Sequence, residues 1–165
     1  MRAALASNCN LWNGGEFYGT PQLNSLTLLR KYYEKYPEDA DKVVLNIKGG
    51  VGPTLQPDGS PQFVRRSVEH CLEMLGPSGR IDMFECARRD RNVPLENTLK
   101  ALAELVDEGK IGGVALSEVS AETIKQAAKI TKIVAVEIEL ALWSREPLTN
   151  GINTICAELG IPIIA

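Results

Sequence analysis

Short runs of apolar and β-branched residues alternate with amphipathic segments along the whole of this chain, and that alternation limits what it can fold into. The runs are "CNLWN", "KVVLNIK", "IDMFECA", "GGVALS", "IVAVEIE" and "IPIIA". Most hardly alternate between apolar and polar residues, as strands do when both faces are covered. Between them, apolar residues recur at helical spacing: Val64, Val68, Cys71, Leu72 and Leu75, then Leu95, Leu99, Leu102, Leu105 and Val106. Small polar residues, prolines and glycines punctuate these segments. Thr20–Pro21 and Ser60–Pro61 each pair an N-cap type with a proline suited to the first helical position. Ser120 precedes "AETIKQAAK", and Gly109 and Gly160 stand where helices should stop.

Strand, helix, strand, helix predicts a parallel sheet covered by helices. The strands are expected at Cys9–Asn13, Lys42–Lys48, Ile81–Cys86, Gly113–Ser117, Ile133–Ile138 and Ile161–Ala165. The opening "MRAALASN" reads as the tail of another helix, and "GIPIIA" as a buried strand with nothing after it, so both ends read as cut. A doubly wound open sheet and a (β/α)8 barrel both fit. The glycines of "IKGGVGPTL" do not form the G-x-G-x-x-G turn of a dinucleotide-binding sheet and open no helix. Polar residues instead collect where strands end: Asn13, then Lys48, then Arg88, Arg89 and Asp90, then Ser117 and Glu118, then Glu137 and Glu139. Barrels assemble their sites at that end. The expected fold is therefore α/β, an incomplete (β/α)8 TIM barrel with about six of eight units, residues 1–165 forming one partial barrel domain.

Composition removes several function classes. Net charge is −3 and the pI is near 5.3, with no basic tract, which argues against nucleic acid as a partner. No apolar run approaches the ~20 residues of a membrane span. Cys9, Cys71, Cys86 and Cys156 lie far apart and His70 is the only histidine. That pattern holds no metal site and no secreted disulfide framework, and reads as reduced thiols in a cytoplasmic protein.

Tyr18 follows the first run and Lys48 ends the second, so in a barrel both can converge at one mouth. A phenol with a pKa of about 10 is a poor acid at neutral pH unless a nearby cation stabilises its phenolate. Lys48 can supply that charge, and the pair then reads as a general acid for a carbonyl oxygen becoming an alkoxide. The plainer alternative is a turn tyrosine and a lysine whose ammonium reaches solvent.

The order "NLWNGGEFYG", "VVLNIKGG", "IDMFECARRD", "GGVALSEVSAETI", "VAVEIELALWSRE" and "ELGIPIIA" resembles the aldo-keto reductases. Within them, "WNGGEFYG" and "CAR" resemble the pyridoxal reductase branch. The resemblance implies a barrel that reduces a small aldehyde or ketone with hydride from NADPH, pyridoxal to pyridoxine being one such reaction. It puts Tyr18 at the general acid and Lys48 at the lysine that tunes it. Asn13 stands where the family has an aspartate, and Ala87 where it has a histidine. Asparagine can accept a hydrogen bond from Lys48 but supplies no charge, leaving the ammonium uncompensated. Arg88 or Arg89 could take over part of the histidine's hold on substrate, or simply be solvated on a loop. Ser117, Glu118 and Glu137 stand at the positions that hold the nicotinamide carboxamide. By the family's pattern the chain lacks the first strand and the later phosphate-binding segments, and its open edge strands favour self-association. A catalytically inactive truncated barrel, or a non-catalytic binding or regulatory module on the same scaffold, remains the alternative.

Overall fold

The structure is a computed structural model that describes residues 1–52 and 54–165. Its elements follow the chain as α1 (Arg2–Ala6), β1 (Leu11–Gly15), α2 (Ser25–Lys35), β2 (Val44–Gly49), α3 (Pro61–Leu75) and β3 (Met83–Cys86). Then come α4 (Leu95–Asp107), β4 (Val114–Ser117), α5 (Ala121–Ala127), β5 (Ile133–Glu137), α6 (Ile152–Leu159) and β6 (Ile163–Ile164). The six strands are all parallel, and their order in the sheet is their order in the chain.

That order settles the architecture. Crossovers between parallel strands are right-handed. A strand order that never reverses therefore sends every helix to the same face, whereas an open sheet with two helical layers needs a reversal point. Accordingly α2 packs on α3, α3 on α4, α4 on α5 and α5 on α6, a continuous outer layer. The molecule is six units' worth of a (β/α)8 barrel.

Strand periodicity assigns the two faces. Leu45, Ile47, Phe84, Val114, Leu116 and Val136 point to the helices and share one core with Leu26, Val64, Val68, Leu99, Leu102 and Ile124. The intervening positions of the same strands carry Asn46, Lys48, Glu85, Ser117 and Glu137 to the opposite face. Parallel register sets Asn13 beside Asn46, Lys48 beside Glu85, and Ser117 beside Glu137.

Several local expectations shift. The first strand runs to Gly15, because its ladder with β2 continues as far as Gly15 opposite Lys48, so Asn13 is mid-strand and not terminal. The last strand is confined to Ile163–Ile164. Helix α2 starts at Ser25 and not at Pro21. Asn24 accepts from the N–H groups of Leu26 and Thr27, and the Thr27 hydroxyl accepts from the Asn24 N–H, a reciprocal cap stronger than anything Thr20 offers. Thr20 instead closes a turn with Leu23. Pro61 does open α3, and the Ser120 hydroxyl caps α5 by accepting from the Thr123 N–H. Among the described residues, no helix is long and apolar enough to cross a membrane.

Phe84 is the largest fully buried side chain, and Gly49 lies so close to its ring that an added Cβ would sit 2.6 Å from Cζ. A site packed this tightly cannot collapse around a void. Phe84→Ala is expected to cost about 3–5 kcal/mol, read as a lowered urea midpoint with an unchanged denaturant slope.

Candidate active site

Lys48, near the end of β2, is only 5% exposed. An ammonium taken out of water must be paired and hydrogen-bonded. Strand register supplies the first partner: Glu85, directly opposite on β3 and 0% exposed, with Oε1 3.0 Å from Lys48 Nζ. The second partner is Glu137 on β5, whose Oε1 also accepts from Nζ. Asn46, one period before Lys48 on the same face, donates from Nδ2 to Glu85 Oε1 at 3.0 Å and to Glu137 Oε2 at 3.2 Å. Asn13 of β1 also donates to Glu137 Oε2. Four strands thus meet at one polar cluster on the face away from the helices.

Burial pushes the Glu85 carboxyl up to about 7. The Lys48 charge opposes that rise, and the neighbouring Glu137 charge adds to it. Burial alone would pull Lys48 down, but the hydrogen bond it donates to Glu137 and the attraction of Glu85 outweigh it, holding the ammonium above lysine's ordinary value. Asn46 Oδ1, Glu85 Oε2 and Ser117 Oγ are buried without a hydrogen-bond partner among the described residues.

The turn after β1 is held from two sides. The Glu16 N–H donates to the Lys48 carbonyl at 3.1 Å. The Glu16 side chain enters the helix layer, where the Ser67 hydroxyl of α3 donates to its Oε1 at 2.8 Å. Burial raises the Glu16 carboxyl, with the Ser67 bond partly opposing. Two residues later Tyr18 is 43% exposed, its ring set edge-on to Phe17 at 4.8 Å. A Cβ on Gly15 would lie 3.3 Å from Tyr18 Cδ2 and 3.4 Å from Lys48 Cβ. The tyrosine ring and the lysine stem therefore flank one glycine.

The remaining sequence-derived residues lie on strand ends and loops. Ser117 is buried at the end of β4. Glu118 follows with a left-handed φ of 51°, and its carboxylate accepts from the Glu139 N–H at 2.8 Å. Ala87 is buried, its N–H donating to the Gly49 carbonyl. Arg88 is exposed and its guanidinium donates to the Ala87 carbonyl at 2.6 Å, while Arg89 donates to the Thr123 hydroxyl at 3.1 Å.

The structure therefore gathers Asn13, Lys48 and Glu137 into one network and leaves Tyr18, Arg88, Ser117 and Glu118 outside its hydrogen bonds. Two expectations about that network change. Lys48 is not uncompensated, because Glu85 and Glu137 both pair with it. Asn13 does not accept from Lys48 but donates to Glu137. Sequence reading missed Glu85, Asn46 and Glu16. The signal available for the first two was an acid inside an apolar strand and an amide one period before Lys48.

Comparison with known proteins bears on what such a cluster serves. The sequence pattern of the aldo/keto reductase family matches residues 1–165. A Schizosaccharomyces pombe protein named "Probable pyridoxal reductase 2" is 50% identical over 167 residues, spanning 100% of this chain and 50% of that protein. A Saccharomyces cerevisiae protein, also named as a pyridoxal reductase, is 42% identical over 163 residues, 93% of this chain and 46% of its own. The crystal structure of the thermostable aldo-keto reductase Tm1743 with the inhibitor epalrestat superimposes with a TM-score of 0.85. That match covers 99% of this chain and 57% of the other, and at 22% identity it is a likeness of fold. The chain spans about half the length of the curated relatives it matches.

The Glu85 shift carries a pH signature. Its carboxyl binds a proton more tightly in the folded chain, so between pH 4.5 and about 7 the native state holds more protons than the unfolded one. Stability contributed by Glu85 is full below that window and lost as pH rises through it. The natural chain should lose urea stability from pH 4.5 to 7, and Glu85→Gln should flatten that slope.

Proposed function

Because the chain belongs to the aldo/keto reductase family, we propose that it serves NADPH-dependent reduction of a small aldehyde or ketone, with Tyr18 as the acid. The observation that carries this reading is that the Tyr18 ring and the stem of the buried, twice-paired Lys48 both lie against Gly15. The names of the relatives support pyridoxal as the carbonyl to try first. The widely spaced free thiols accord with a cytoplasmic setting.

Ser117 fits the nicotinamide end of the cofactor, since its buried hydroxyl has no partner among the described residues and retains its capacity to bond a carboxamide. Glu137 fits that role less well, because both its oxygens are engaged by Lys48, Asn46 and Asn13. Glu118 stands next to Ser117 with its carboxylate turned to the Glu139 N–H. When bound, NADPH supplies the hydride.

The chain's own residues manage the proton. As negative charge develops on the carbonyl oxygen, a phenol in reach can donate to it, and a nearby ammonium lowers the cost of the resulting phenolate. Lys48 remains charged because two carboxylates pair with it. Glu16 fixes the turn that presents Tyr18, tying it to α3 and to the end of β2. Where the family has a histidine this chain has Ala87, whose methyl can neither donate nor orient. Arg88 follows it, exposed, and supplies a donor group for a substrate oxygen.

NADPH oxidation in the presence of pyridoxal, followed by loss of nicotinamide absorbance, tests the reading. Tyr18→Phe keeps the ring and removes the proton, so turnover should fall by roughly 10²–10⁴-fold, the usual worth of general acid catalysis. NADPH affinity should be nearly unchanged. Lys48→Met should lower turnover and displace its pH profile. Full turnover in Tyr18→Phe would remove the tyrosine from the chemistry, and NADPH binding without turnover on any carbonyl would favour a non-catalytic scaffold.

A further inference from the structure

We propose that Glu137 is the working counter-ion of Lys48 and that Asn13 and Glu137 form an exchangeable pair, carboxylate on β5 and amide on β1. Glu137 acts through Lys48, so it is a positioning residue in the reductase reading. The assignment of it as counter-ion rests on geometry alone.

The two oxygens of Glu137 are divided between tasks. Oε1 takes the Lys48 ammonium, and Oε2 receives the amide hydrogens of Asn13 and Asn46. A carboxylate held by three donors from two other strands has one orientation, with its charge aimed at Nζ. Three of the carboxylate's roughly four acceptor sites are thus taken from within the sheet, which favours a structural counter-ion over a ligand-binding acceptor.

Charge counting points the same way. Two carboxylates face one ammonium, and like charges this close do not both ionise easily. Glu85 is fully enclosed, whereas the Glu137 side chain keeps 22% of its surface in solvent. Ionisation costs less at the better-solvated site, so Glu137 is the first to carry the compensating charge and Glu85 the partner that takes up a proton more readily. This agrees with the raised Glu85 carboxyl.

Asn13 contributes the amide that this carboxylate needs. Exchanging the two groups, Asn13→Asp with Glu137→Gln, preserves the net charge and keeps an amide facing a carboxylate. Each single change does not: Glu137→Gln removes the compensating charge, and Asn13→Asp sets two carboxylates against each other. The same exchange returns a carboxylate to the β1 position where the resemblance in sequence places one.

A titration of the Lys48 side chain by NMR, through its ε-carbon shift, tests this without any turnover. Glu137→Gln is expected to lower the Lys48 pKa, Asn13→Asp to raise it, and the double exchange to return it near the natural value. Turnover with NADPH and pyridoxal supplies the kinetic arm. A loss of kcat is expected for Glu137→Gln, with KM little changed and the double exchange restored. If Glu137→Gln does not fold, recovery of the folded state in the double exchange is the same rescue. An unmoved Lys48 titration in Glu137→Gln, or a double exchange no better than the worse single change, overturns the proposal. If the natural protein reduces no carbonyl while the titrations behave as expected, the reductase reading fails and the counter-ion assignment stands.

Discussion

A lysine ammonium withdrawn from water governs the polar half of this molecule. Lys48 is buried, and no residue of its own strand can neutralise it. Its neighbours in the ladder supply Glu85, but Glu137 comes from β5, three strands away in the sheet. In a flat sheet three strand spacings amount to about 14 Å, and the four from Asn13 to Glu137 to about 19 Å. An asparagine cannot touch a glutamate across that gap. Both contacts exist because the sheet curls, and the curl follows from strand twist combined with helices that all lie on one side. Pairing of the charge and curvature of the sheet are therefore one fact seen from two ends.

The second consequence concerns the tyrosine. A side chain on an exposed turn is useful as an acid only if the turn has one position. Here the turn is fixed by a backbone bond from Glu16 to the end of β2 and by a carboxylate bond to Ser67 on α3. Gly15 completes the arrangement, since any side chain at that position would fall between the Tyr18 ring and the Lys48 stem. The same short segment thus serves the sheet, the helical layer and the site.

The two faces of the sheet differ in how well they tolerate change. On the helix side the contacts are apolar and interchangeable in kind, so loss of one costs packing energy and little else. On the inner side every member of the cluster holds another, so removal of one weakens the pairing of the rest. Asn46 illustrates this, because a single amide hydrogen-bonds both Glu85 and Glu137. Substitutions there should be non-additive in a way that those in the apolar core are not.

Strand and helix alternation, the proline at the start of α3, the serine cap of α5 and the apolar stripes of α3 and α4 were all readable in the linear pattern, because each depends on residues within one or two turns. The start of α2 was not, since Thr20–Pro21 and Asn24 are both plausible caps and only the reciprocal bonds with Thr27 decide between them. Tyr18, Lys48, Asn13 and Glu137 could be singled out from motif and position near the strand ends. Their connections could not: an asparagine accepting from Lys48 and one donating to Glu137 are the same letters in the chain. The partners of Lys48 lie 37 and 89 positions further along, in residues whose roles appear only once strand register and curvature are set. Local periodicity encodes the elements, because backbone hydrogen bonding and side-chain burial are satisfied nearby. Which charge neutralises which is decided by distance in space, and that distance exists only in the curled sheet.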